Sequence, residues 1–187
     1  LSGASGTGLS HLLQAICQST ALGRNSGALY LPLEELSQYP PEQVLEGLEN
    51  APLVCIDDLQ LVSGREDWHI PLFNLFNNCR DAGCRLIIAS HLPADQLDIK
   101  LEDLLSRLKS GVSLHLQNYK DADQRRLLQY RSNRRGLYLS DEVALFLLNR
   151  LPRDTHALME ALDILDKASL REQRRLTTPF VKEALGL

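Results

Sequence analysis

The segment Leu53–Ile56 constrains the fold most, because it is apolar at every position and is followed at once by Asp57 and Asp58. A strand that is apolar on both faces is typical of a parallel sheet covered by helices on both sides. Shorter apolar segments alternate with helical patterns before and after it, which is the pattern of crossover units. The sequence therefore predicts an α/β core, with further strands at 28–31, 86–89 and 112–116.

The pattern of predicted elements changes after Gln117. Before that residue, apolar side chains at helical spacing predict helices at 10–21, 41–49, 66–81 and 101–108. After it only helical patterns follow, one between Asp121 and Gly136 and three more at 140–150, 155–172 and 178–185. We therefore predict two parts, an α/β core at 1–117 and a small helical subdomain at 118–187.

Gly3, Gly8 and Ser10 have the spacing G-x-x-x-x-G-x-S of a phosphate-binding loop. Glycines let main-chain amides turn toward phosphate oxygens, and the following helix directs its positive N-terminal end at the same anion. Leu9 stands where such loops carry a lysine, so the charge near the β and γ phosphates is missing. A simple strand-to-helix turn is the alternative. The predicted nucleotide contacts are Ser5, Gly6, Thr7, Gly8, Leu9, Ser10 and His11.

The aspartates after the buried strand lie about fifty residues beyond this loop. A carboxylate at a strand end holds magnesium in many nucleotide sites, and its neighbour orients the attacking water. We therefore predict Ser10 and Asp57 as Mg²⁺ ligands and Asp58 as a candidate catalytic carboxylate. The alternatives are that the aspartates only begin a turn and that Ser10 only caps the helix.

Composition sets broad limits on the class of protein. The net charge is −4, from 20 basic and 24 acidic side chains, and residues 118–187 carry a basic excess. The four cysteines form no Cys-x-x-Cys pair, which is typical of buried thiols in a reducing cytosol rather than a zinc site. No secretory leader and no membrane-spanning run are visible, so we expect a cytoplasmic protein. The chain begins without Met, and we expect a further segment upstream. The histidines at 69, 91 and 115 are interpreted as surface or packing residues.

The segments GASGTGLSHLL (3–13) and LVCIDDLQ (53–60) together resemble the AAA+ ATPases of the bacterial replication-initiator (DnaA) family. LIIASHLP (86–93) is similar to the strand and turn that hold the first sensor residue, at Ser90. LEDLLSRLKSG (101–111) is similar to the segment that carries the arginine finger, which maps onto Arg107. The resemblance implies a P-loop NTPase core with a C-terminal helical lid.

The chain ends directly after the lid helix, as in the shortened, Hda-type members of the family. That resemblance implies a regulator that binds ADP, or another nucleoside diphosphate, and stimulates ATP hydrolysis by the DnaA initiator together with the sliding clamp. Arg107 would act in trans, the clamp-binding motif would lie upstream, and pairing into a homodimer is possible. The second sensor maps onto His156 or Arg153. A self-sufficient ATPase, such as a DnaC-like helicase loader or a transposition ATPase, is the alternative, and direct DNA binding through the arginine-rich lid is the least favoured reading.

Overall fold

The chain folds into two compact units, Leu1–Gln117 and Asn118–Leu187. The computed structural model describes residues 1–21, 27–117, 119–152 and 155–187, without the side chains of 21, 155 and 156. Each unit has its own cluster of buried apolar side chains, so each contains a hydrophobic core.

The first unit is built on parallel strands, as the sequence predicts. The strand β3 (Leu53–Asp57) pairs with β2 (Ala28–Pro32) on one side and with β4 (Arg85–Ile88) on the other. The two-residue strands β1 (Ser2–Gly3) and β5 (His115–Leu116) pair with each other. A bridge between Ser2 and Ser90 joins the two groups of strands. Every residue of β3 is buried, because helices cover both faces of the sheet.

Helices follow the first four strands of the first unit. They are α1 (Leu9–Ala21), α2 (Leu33–Leu36), α3 (Pro41–Leu45), α4 (Glu66–Ala82) and α5 (Glu102–Ser110), with short 3-10 turns at Leu48–Asn50, Leu59–Leu61 and Ala94–Gln96. The larger cluster of the core packs α4 and α5 against one face of the sheet, and the smaller cluster packs α1 against the other.

Two predicted elements are shorter than expected. The predicted helix at 41–49 ends at Leu45, because Glu46 is extended and Gly47 turns left-handed at φ 76°. The predicted strand at 112–116 keeps only 115–116, because its partner β1 has just two residues to pair with, and Val112 is 89% exposed. Local apolar content therefore overestimates the length of both elements.

In its described residues the second unit contains helices joined by short loops, and no strand. It contains α6 (Asp121–Arg134), α7 (Asp141–Arg150), α8 (Thr155–Glu172) and α9 (Thr178–Leu185), packed around fully buried Leu128, Leu147, Leu162 and Phe180. The Ser140 hydroxyl caps α7 by accepting a hydrogen bond from the Val143 amide. Over the whole described part of the chain, no helix has the length and apolar content needed to cross a bilayer.

Candidate functional site

The predicted phosphate loop lies between β1 and α1. The Thr7 amide and hydroxyl both donate to the Ala4 carbonyl, at 3.2 and 2.8 Å, which closes the loop into a tight turn. Gly6 and Gly8 have φ values of 81° and 90°, in the region that a side chain disfavours. The loop therefore has the backbone of an anion-binding turn, with Ser5 and Gly6 exposed at its tip.

The start of α1 directs main-chain amides toward this loop. The first intrahelical bond runs from the Leu12 amide to the Gly8 carbonyl, at 2.9 Å. The amides of residues 9–11 precede that bond and point out of the helix end, where they favour an anion. Ser10 is the second residue of the helix, so its interpretation as the helix cap is wrong. His11 is exposed on the first turn.

Gly3 has a different function from the other two glycines. It lies in strand β1 rather than in the turn, and its backbone is not left-handed. A Cβ at this position would lie 2.8 Å from the Thr7 hydroxyl and 3.0 Å from the Leu116 carbonyl. The site needs a glycine here because of close packing, not because of an unusual dihedral angle.

The side chain of Leu9 belongs to the core. It is 4% exposed and packs in the cluster that also contains Leu13, Leu53, Cys55 and Ala89. A leucine at the lysine position therefore extends the packing of α1 on the sheet. The contribution of Leu9 to an anion site is limited to its main-chain amide.

Both carboxylate oxygens of Asp57 accept hydrogen bonds from the protein. The Asp58 amide donates to Oδ1 at 3.0 Å, and the Tyr30 hydroxyl donates to Oδ2 at 2.7 Å. Burial, together with the bond to the Asp57 carboxylate, raises the pKa of Tyr30 to about 12. Ser10 and Gln14 from α1 also interact with this hydroxyl and oppose part of that rise in pKa.

The carboxylate of Asp57 is buried and hydrogen-bonded at both oxygens. The side chain is 2% exposed, and the Tyr30 phenol is the donor at Oδ2. Mg²⁺ requires oxygen ligands at about 2.0–2.1 Å in an octahedral arrangement, and each oxygen of Asp57 keeps one further acceptor position besides its hydrogen bond. Among the described residues, no group of three acidic, histidine or cysteine side chains is arranged to hold a metal. The predicted Mg²⁺ site at Ser10 and Asp57 stays a prediction.

Asp58 is held in a strained conformation next to this carboxylate. Its φ of 60° and ψ of 42° are left-handed, which is rare outside glycine. The Gln60 amide donates to Asp58 Oδ1 at 2.8 Å, and His91 Nε2 lies 3.6 Å from the same oxygen. Gln60 also accepts a bond from the His91 amide at 3.0 Å. His91 therefore lies in a polar cluster at the ends of β3 and β4, and its side chain is 41% exposed, which agrees with its interpretation as a surface residue.

Ser90 lies beside the start of the phosphate loop. Its carbonyl accepts from the Gly3 amide at 3.3 Å, and its hydroxyl accepts from the Leu92 amide at 3.1 Å. The side chain is 5% exposed. The parallel sheet thus places the candidate sensor, the loop and the strand-end aspartates at one edge, as expected for the carboxyl ends of parallel strands.

Arg107 lies on the last turns of α5 and is half-buried. Its carbonyl accepts a bond from the Ser110 hydroxyl at 2.8 Å. Within the described part of the chain, no carboxylate forms an ion pair with its guanidinium. Leu104, three residues earlier, is buried in the core, so the helix that carries Arg107 is firmly packed.

The remaining candidates fall into two groups. Arg153 and the side chain of His156 lie outside the described residues, so the second-sensor prediction stays open. His69 Nε2 pairs with the Ser63 carbonyl at 2.7 Å, and His115 Nδ1 pairs with the Ser2 hydroxyl at 3.0 Å. His69 is a packing residue and His115 is exposed at the surface, which agrees with their interpretation as surface or packing residues. All four cysteines are buried free thiols.

Sequence reasoning missed Tyr30, Gln60 and His91. Tyr30 reaches Asp57 because β2 and β3 pair in parallel with Tyr30 opposite Cys55, a register that no local pattern reveals. Gln60 is visible in the quoted DDLQ segment, three residues after Asp57, where its amide suits a bridge between neighbouring strand ends.

Comparison with known proteins shows which family this chain resembles. Residues 1–115 match the bacterial DnaA ATPase domain, and residues 121–185 match the lid domain of Hda. An uncharacterized protein of Haemophilus influenzae is 45% identical over 99% of this chain and 80% of its own length.

Solved structures share the fold at lower identity. Domain III of the Thermotoga maritima replication initiation protein DnaA superposes with a TM-score of 0.81, at 20% identity, over 99% of this chain and 81% of that one. AMPPCP-bound DnaA from Aquifex aeolicus superposes with a TM-score of 0.75, at 22% identity, over 92% of this chain and 59% of that one.

The fold and the matched regions define an AAA+ protein, with a parallel α/β core and a C-terminal helical region. The chain belongs to the bacterial DnaA ATPase domain family, and its lid makes it close to Hda. Its class is that of DnaA-related replication regulators.

Proposed function

We propose that this chain binds a nucleoside diphosphate in the loop before α1 and stimulates ATP hydrolysis by a DnaA initiator. One observation carries the proposal: the anion-binding backbone is retained while Leu9, at the lysine position, is buried in the core. A diphosphate needs only the amide cradle and the helix end, whereas triphosphate chemistry depends on the missing ammonium group.

In this proposal, Arg107 is the residue that acts on the ATP bound to the DnaA partner. Its guanidinium has no carboxylate partner among the described residues, and α5 is anchored by Leu104. An arginine supplied in trans stabilises charge on the γ-phosphate of a neighbouring subunit and accelerates phosphoryl transfer by roughly 10³–10⁵-fold. The proposed regulator needs no hydrolysis at its own site for this effect. We expect the sliding clamp to be the second partner of this regulator.

The geometry around Asp58 supports the regulator over the self-sufficient ATPase. Its Oδ1 accepts from Gln60 and faces His91, so this oxygen already has protein partners. A carboxylate that orients water must have a lone pair directed at that water.

The test measures phosphate release from ATP-loaded DnaA, with clamp-loaded DNA and this protein. We expect Arg107→Ala to abolish stimulation while ADP affinity stays unchanged. Lys109→Ala, two residues away and exposed on the same helix, is the matched control and should retain stimulation. Stimulation that survives Arg107→Ala would refute the assignment of Arg107 as the arginine finger. Turnover by the protein alone, lost in Asp58→Ala, establishes the self-sufficient ATPase instead.

A further inference from the structure

A groove lies beside strand β2, between this strand and the segment that follows it. Leu29 and Leu31 of β2 form one wall, and Leu36, Tyr39 and Val44 from α2, α3 and the loop between them form the other. Its volume is about 420 Å³. Leu29 and Tyr39 remain 39% and 52% exposed, so the groove presents apolar surface that the core of the first unit does not cover.

Strand β2 also has a free edge. It pairs with β3 on one side, and within the described ranges no strand pairs with its other side. Residues 29–31 make no backbone–backbone hydrogen bond with any described segment except β3. An unpaired strand edge presents N–H and C=O groups that can bind an extended segment of another chain. Because β2 has five residues, it can pair with an extended segment of roughly 16 Å.

The segment that forms the far wall of the groove is strongly acidic. Residues 27–64 contain no lysine, arginine or histidine. The exposed carboxylates on and next to α2 and α3 are those of Glu34, Glu35, Glu42 and Glu46. No basic side chain in the described part of the chain forms an ion pair with these four glutamates. The guanidinium of Arg65 reaches the Ser37 carbonyl, but it is paired with Asp67.

These four glutamates restrict what can occupy the groove. A second copy of this chain, paired edge to edge, would bring the same glutamates of both copies together, and such like-charge contacts are costly. Nucleic acid is disfavoured as well, because its phosphates carry the same sign of charge. A cationic segment is attracted instead, since its charges complement the unpaired carboxylates.

We propose that the groove binds an extended, basic segment of a partner protein, which is added to β2 as a further strand. Its main chain pairs with the free edge of β2. On the side that faces the groove it carries both apolar side chains, which fill the groove, and lysine or arginine, which reaches the glutamates of α2 and α3. Binding at this edge is independent of the proposed nucleotide site.

The test measures the fluorescence anisotropy of labelled peptides mixed with the full chain at low salt. The probe is the peptide Lys-Lys-Val-Val-Lys-Lys-Val-Val, which has both residue types on each face when it is extended. The same peptide with glutamate in place of lysine is the charge control, and we expect the lysine peptide to bind at least about tenfold more tightly. A lysine peptide that is N-methylated at its valines keeps its charge but loses main-chain donors. We expect it to bind about fivefold more weakly than the unmethylated peptide.

Variants of the protein separate this groove from the rest of the acidic surface. Glu42→Gln combined with Glu46→Gln should weaken binding of the lysine peptide about fivefold, because two exposed charge pairs are lost. Glu102→Gln combined with Asp103→Asn is the matched control, since it removes the same charge from the exposed first turn of α5 and should leave the affinity unchanged. Four results would each overturn the proposal: no binding of the lysine peptide, equal binding of the glutamate peptide, undiminished binding of the N-methylated peptide, or equal effects of the two double variants.

Discussion

Replacing Leu9 by alanine tests whether the lysine position has become part of the core. Leu9 is 4% exposed and packs with Leu13, Leu53 and Cys55, so truncation removes buried methyl groups and leaves a cavity. Buried leucine-to-alanine changes cost about 2–5 kcal/mol, and we expect about 2–3 kcal/mol for a residue on the first turn of its helix. In urea this corresponds to a midpoint lowered by about 1–2 M.

The assay is urea denaturation followed by tryptophan fluorescence. Trp68 is the single tryptophan, is fully buried and lies in the first unit, so the signal reports on the unit that contains Leu9. Leu12→Ala is the matched control, because Leu12 lies on the same helix and is 36% exposed. We expect it to cost less than about 1 kcal/mol. Equal losses in the two variants would refute the placement of Leu9 in the core.

Three further predictions follow from other parts of the first unit. Gly3→Ala should lower the free energy of unfolding by about 1–3 kcal/mol in the same urea assay, since its Cβ would lie 2.8 Å from a side-chain oxygen, whereas Gly111→Ala, with open space around it, should change little. Because burial and the nearby carboxylate raise the pKa of Tyr30 to about 12, its contribution to stability is complete below pH 10 and is lost as the pH rises toward 12. Tyr30→Phe should therefore lose less stability over that range, and a parallel pH dependence would contradict the assignment. Burial raises the pKa of both Cys55 and Cys79 to about 12, so these thiols should react slowly with Ellman's reagent at pH 8 until the protein is unfolded, and rapid labelling of the folded protein would argue against it.

The sequence predicts the parallel core well because β3 is apolar at every position and needs cover on both faces. It also places the loop, Asp57 and Ser90 correctly near one another, since the carboxyl ends of parallel strands share an edge. The sequence does not predict the register in which distant strands pair. The contact of Tyr30 with Asp57 depends on which residues of β2 and β3 pair, and local patterns do not specify that pairing.

The phosphate-loop motif also does not predict in which direction the side chain at position 9 points. The spacing of glycines suggests a residue facing phosphate, but the first turn of α1 packs on the sheet and draws an apolar side chain inward. Gly47 shows the same limit on a smaller scale, because its left-handed turn ends a helix that apolar spacing extends to residue 49.

ADP binding to nucleotide-free protein is the most direct test of a cradle made from main-chain amides alone. Calorimetry should give one ADP per chain, with affinity reduced at least about tenfold by Gly8→Ala, because φ of 90° at this position disfavours any side chain. Absence of binding, or an affinity that Gly8→Ala leaves unchanged, would contradict the account.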